Sequence, residues 1–71
     1  MSFDDLLDYW TNMFGKRELV KKSEAIRFLG YSDIRTLNKQ IAKGLIKLTR
    51  LANGDVRIHK NELLNFIEYV I

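Results

Sequence analysis

Residues 23–46, SEAIRFLGYSDIRTLNKQIAKGLI, hold two short amphipathic helical patterns joined by a glycine-centred turn, and the rest of the chain reads as support for them. In the first pattern Ala25, Ile26, Phe28 and Leu29 supply the apolar positions. Ser23 stands where an N-cap oxygen would accept an otherwise unpaired backbone N–H. Gly30 stops this helix, because glycine tolerates the left-handed conformation that closes one, and Tyr31 is expected to fold back as the accompanying apolar contact. Ser32 and Asp33 offer a second N-cap. Ile34, Leu37 and Ile41 then follow at spacings of three and four, on one face of a second helix that Gly44 ends.

The opposite face of that second helix carries the chemistry. At 100° per residue Lys39 points almost directly away from the apolar stripe, with Arg35, Thr36, Gln40 and Lys43 spread around it, and none of the five is acidic. Such a set suits a DNA major groove. Arg pairs bidentately with guanine, Gln with adenine, Thr touches a thymine methyl and Lys neutralises phosphate. The competing reading is a solvated basic face with no ligand.

Seventy-one residues make one small domain, which buries only about 60% of its unfolded surface, so a partner subunit would add welcome stability. With no cysteine there is no disulfide framework and no zinc-thiolate site. No apolar run approaches the roughly 18 residues of a membrane span, and the N-terminus does not resemble a signal peptide, so a cytoplasmic protein without membrane contact is expected. Charge is unevenly spread: −3 over residues 1–14, +8 over 16–60 and −2 over 61–71, for a net +3. A basic middle of this kind points to a polyanionic partner, since it gains affinity by releasing phosphate counterions.

Around the central stretch, Phe3, Leu6, Leu7, Trp10 and Phe14, with Met13 beside them, form a wide helical stripe, capped by Ser2 and closed by Gly15. Asp4 and Asp5 suit the positive end of the helix dipole. The aromatic face has two readings, a lid on the domain core or a dimer or partner surface. Residues 16–22, KRELVKK, make a basic linker in which Leu19 and Val20 form one short extended piece. After Gly44 the runs around Asn53-Gly54 read as a hairpin. A two-residue turn pairs Leu51 with Val56 and Thr49 with Ile58, whereas a longer loop puts Ile46, Leu48, Val56 and Ile58 on one face. Lys47, Arg50, Asn53 and Arg57 lie on or near it in either register. A closing helix from Lys60 or Asn61 carries Leu63, Leu64, Ile67 and Val70 or Ile71 on its apolar side, with Phe66 adjoining.

Enzyme chemistry is not expected. The single histidine, His59, reads as structural, the Asp4 and Asp8 pair serves the helix dipole, and no phosphate loop, metal-ligand spacing or cofactor motif occurs.

The motifs Glu24-Ala25, Leu29-Gly30, Ser32, Thr36-Leu37, Gly44-Leu45-Ile46, the Asn53-Gly54 turn and Glu62-Leu63 followed by Phe66 stand in one order from Val20 to Ile67. That stretch resembles the excisionase and MerR-like group of small DNA-binding domains, the helix-turn-helix type 17 pattern. Two departures occur: one extra residue between the turn glycine and Thr36-Leu37, and an additional N-terminal helix. Full MerR-type regulators also carry a coiled coil and an effector domain, for which 71 residues leave no room.

The resemblance implies a mainly α fold with a small β-hairpin, a winged helix-turn-helix over residues 18–71 preceded by a helix within 1–15. It implies a sequence-specific binder of double-stranded DNA in a phage or mobile element, acting in excision (DNA recombination) or transcription regulation. Ser32, Arg35, Thr36, Lys39, Gln40 and Lys43 would meet the major groove, and Lys47, Arg50, Asn53 and Arg57 the backbone or minor groove. Expected partners besides DNA are a second copy, as homodimer or cooperative neighbour, and a recombinase or host factor. The rival reading from another class is a protein-interaction module, a phage assembly protein or host-factor inhibitor, working through Phe3, Leu6, Leu7, Trp10 and Phe14.

Overall fold

Ser2 opens the first helix with a reciprocal cap: its hydroxyl accepts the Asp5 N–H and the Asp5 carboxylate accepts the Ser2 N–H, each at 3.3 Å. The computed structural model, which describes residues 2–70, runs this helix, α1, over Phe3–Phe14. Gly15, at φ 65° and ψ −131°, takes a positive-φ conformation open to glycine and ends the helix there. Leu6, Trp10 and Phe14, four residues apart, are buried. The Trp10 indole N–H, which would otherwise be an unpaired buried donor, reaches the Arg17 carbonyl at 2.9 Å.

Strand β1 (Leu19–Val20) leads straight into α2 (Lys22–Leu29). The cap of α2 is therefore not Ser23. The chain leaves the sheet at Val20 and must turn at once, so Lys21 takes the capping position and Glu24 accepts its N–H at 2.9 Å, leaving Ser23 exposed inside the first turn. At the other end Gly30 (φ 76°) donates to the Arg27 carbonyl and Tyr31 N–H donates to Ile26, the paired bonds that satisfy a helix's last carbonyls. Helix α3 (Ile34–Ala42) starts on Asp33, not Ser32, because the Asp33 carboxylate accepts the Arg35 N–H at 2.9 Å. Gly44 and Leu45 close α3 with the same pair of bonds, to Ile41 and Gln40.

Strands β2 (Leu48–Arg50) and β3 (Val56–His59) pair antiparallel, with Leu48 opposite Ile58, Thr49 opposite Arg57 and Arg50 opposite Val56. This is the longer-loop register, and the two-residue Asn53-Gly54 turn is not made. Among the described residues only glycines take positive φ, so Asn53 cannot hold the first position of that turn, and Ala52, Asn53 and Gly54 together form the loop. The sheet has three strands in the order β1-β3-β2, because β1 pairs along the free edge of β3. Helix α4 (Lys60–Val70) follows β3 without a break, and His59 caps it through Nδ1, which accepts the Asn61 N–H at 3.1 Å.

Twelve apolar side chains form one core that takes residues from every helix: Leu6, Trp10 and Phe14 from α1, Ala25 and Phe28 from α2, Leu37 from α3, and Leu63, Leu64 and Phe66 from α4. Val20, Ile46 and Ile58 complete it. Trp10 meets the rings of Phe14 and Phe28 at 4.6 and 5.1 Å in tilted and edge-on geometries. Phe66, expected beside the apolar stripe of α4, lies in the core, whereas Val70 is exposed; Ile71 lies outside the described residues. The fold is thus mainly helical, with four helices and one small antiparallel sheet among the described residues. No helix among the described residues is long and apolar enough to cross a membrane.

Candidate nucleic-acid interface

Helix α3 is anchored by one fully buried side chain, Leu37, with Ile41 half-buried beside it. Its orientation is pinned from α2, where Lys22 Nζ donates to the Asn38 side-chain oxygen at 3.1 Å. Arg35, Lys39 and Lys43 are then exposed on the far side, and Thr36 and Gln40 are half-buried on its shoulder. Ser32 is exposed just before the helix. Beyond α3, Lys47 is exposed in the link to β2, where Glu62 accepts its backbone N–H at 2.9 Å and so fixes the path of the chain. Arg50 and Asn53 are exposed at the end of the hairpin.

Ion pairing separates the cations into two groups. Arg17 is tied to Glu24 by two hydrogen bonds of 2.7 and 2.8 Å, and its guanidinium lies 5.8 Å from the Phe14 ring centre. The Arg17 side chain and then the Lys21 N–H bring the Glu24 carboxyl down from 4.5 to about 2. Arg57 is half-buried, donating to the Val56 carbonyl at 2.9 Å with its other amino group 3.9 Å from Asp55. Lys16, Lys21, Lys22, Arg27 and Lys60 form no ion pair among the described residues, and nor do Lys39, Lys43, Lys47 and Arg50. These four follow one another along the chain from α3 into β2.

Arg35 stands between the groups. Its Nε and Nη2 donate to the Asp33 carboxylate at 2.9 and 2.6 Å, while its side chain is 84% exposed. The Arg35 side-chain bonds, followed by its backbone N–H, hold the Asp33 carboxyl below its ordinary value. The same pairing raises Arg35. Both partners remain open to water, so the clasp is weak and Arg35 is free to exchange it for another acceptor.

Three features of the structure bear on the sequence expectations. Arg57 and Asn53 are engaged within the hairpin: Asn53 accepts the Asp55 N–H at 3.0 Å and donates to the Asp55 carboxylate at 3.2 Å, so both hold the loop's shape. Ile34, expected on the buried stripe, is 40% exposed. And the aromatic partner face is largely absent, because Leu6, Trp10 and Phe14 point into the core, Leu7 packs against it half-buried, and only Phe3 stays open. Among the described residues an apolar groove of about 260 Å³ opens among Leu6, Tyr9, Phe28, Leu29, Tyr31, Phe66, Ile67 and Val70. The Asp33 clasp went unread, although an acidic N-cap two residues before an arginine is its visible signal. Comparison with known protein families, curated proteins and solved structures finds no match.

Proposed function

We propose that this chain is a sequence-specific double-stranded DNA-binding domain of winged helix-turn-helix type, akin to the excisionase and MerR-like group. In this reading α2 and α3 form the helix-turn-helix and α3 enters the major groove. The β2–β3 hairpin is the wing, and β1 closes the sheet behind it. The observation that carries the reading is the uninterrupted run of unpaired cations, Lys39, Lys43, Lys47 and Arg50, beside a weakly held Arg35 on a helix whose opposite side is buried. Lysines at these positions meet phosphates and set affinity; Arg35, Thr36 and Gln40 meet base edges and set preference. Its cellular role would be excision or transcription control in a mobile element. The rival reading, partner binding through the N-terminal aromatic face, loses Leu6, Trp10 and Phe14 to the core.

The test is binding of the purified chain to random duplex DNA at 50 and 200 mM salt, beside an Arg35→Ala, Lys39→Ala double variant. Four phosphate-facing cations give a slope of about −3.6 in log affinity against log salt, a loss of roughly a hundredfold between the two conditions. The double variant should bind more weakly and with a shallower slope. Absence of binding at low salt, with both proteins folded, refutes the proposal.

A further inference from the structure

Asp33 divides its two carboxylate oxygens between two tasks. Oδ1 accepts the Arg35 backbone N–H at 2.9 Å and caps α3, while Oδ2 accepts both Nε and Nη2 of Arg35, at 2.9 and 2.6 Å. Capping does not call for a charge, since Ser and Asn cap a helix as well as Asp does. Yet Asp33 is the only acid in residues 33–50, a stretch that holds five cations, and it is ionised, because its bonds from the Arg35 side chain and then from the Arg35 N–H hold its carboxyl below the ordinary value. The side of the clasp matters too. A guanidinium carries five N–H donors in a fixed planar fork. Asp33 takes the Nε side of that fork, so Nη1 and the second hydrogen of Nη2 form a free end edge on a side chain that is 84% exposed. Two parallel donors are what guanine O6 and N7 accept, so Arg35 can meet guanine without giving up Asp33. A phosphate at the same edge comes beside a carboxylate of like sign, and the clasped pair has no net charge to attract it.

We infer that Asp33 is a positioning residue that raises sequence selectivity: by neutralising Arg35 and holding the Nε side of its guanidinium, it turns that arginine from a phosphate ligand into a reader of guanine. The inference rests on the DNA-binding reading above. It adds a discrimination by charge, since a phosphate must displace Asp33 or sit against it, whereas the neutral guanine edge does neither. Lys39, Lys43, Lys47 and Arg50 have no such acid beside them in the sequence and are left to the backbone.

Asp33→Asn separates the two tasks, because its one amide oxygen can cap α3 while its amide nitrogen cannot accept from Arg35. A target duplex is first selected from a random pool with the full chain. The chain and the variant, checked for folding by circular dichroism, are then compared on that target and on random duplex between 50 and 200 mM salt. Random-duplex affinity of the variant should rise about tenfold at 50 mM salt with a slope steeper by about 0.9, the release of one more counterion. Affinity for the target should rise by less, so that the ratio of target to random affinity falls. The same substitution in an Arg35→Ala chain should leave that ratio unchanged, because only the loss of a negative charge remains. A ratio that Asp33→Asn leaves unchanged or increases overturns the inference, and so does a ratio that falls equally without Arg35. Both outcomes leave DNA binding standing, whereas a chain that enriches no duplex overturns the DNA reading together with this one.

Discussion

Trp10 offers the sharpest test of whether α1 belongs to the domain or merely lies against it. Its side chain is fully buried, it meets Phe14 and Phe28, and its indole N–H is paired with the Arg17 carbonyl. Trp→Ala at such a site costs about 3 to 5 kcal/mol. A chain of 71 residues has a total stability of about 4 to 10 kcal/mol, so the variant should lose between about a third and all of it. Trp10→Phe keeps one aromatic ring but removes the indole donor and the rest of the second ring, leaving a small cavity and the Arg17 carbonyl without that partner. It should cost about 1 to 2 kcal/mol, or roughly 5 to 15 °C in Tm. Phe3→Ser, at an exposed position on the same helix, should stay within about 0.5 kcal/mol of the unaltered chain. Urea titration followed by far-UV circular dichroism reads all three, because Trp10 is the only tryptophan and its fluorescence disappears with it. A Trp10→Ala chain that still unfolds cooperatively within 1 kcal/mol of the original would show α1 to be detachable, and the single-core description would be wrong.

Two further outcomes follow from the ion pairs. Glu24 holds its proton far less tightly folded than unfolded, so the stability it contributes is full above pH 4.5 and is lost as pH falls towards about 2. Discounted for a pair partly open to water, Glu24→Gln should cost about 1 kcal/mol at pH 7 and match the original chain near pH 2, read from urea midpoints across that range; a difference that persists at pH 2 refutes the linkage. Asp33→Ser keeps a capping oxygen for α3 but releases Arg35. Its affinity for a selected target duplex should rise several-fold, and an unchanged affinity would mean that Asp33 does not hold Arg35 back.

Features governed by a few neighbouring residues were legible in the sequence. Ser2 capping α1, Gly30 and Gly44 closing α2 and α3, and Leu37 anchoring the second helix all follow from local rules, and the structure has them. What failed depended on distant pairing. The cap of α2 moved from Ser23 to Lys21 because β1 pairs with β3 some forty residues later and fixes where the chain must turn. The hairpin register stayed open because Asn53-Gly54 is compatible with two loops, and only the pairing of Leu48 with Ile58 selects one. Ile34 was misplaced because helical periodicity tells which residues share a face and not how far the neighbouring core extends along it.

The same logic bears on the candidate site. Residue type alone ranks Arg57 above Lys43 as a nucleic-acid contact, since arginine is the stronger and more directional partner for bases and phosphates. The fold reverses that order by using the planar guanidinium where fixed geometry is needed, at Arg17 against Glu24 and at Arg57 along β3, and leaving three flexible lysines, with Arg50, on the open face. A point charge on a flexible stem follows a phosphate backbone without a preset angle, so these lysines suit affinity without sequence preference. In the proposed reading, selectivity falls to Arg35, Thr36 and Gln40, of which Arg35 is the arginine of α3 and is paired with Asp33. The cations that would hold the DNA backbone then extend from Lys39 to Arg50.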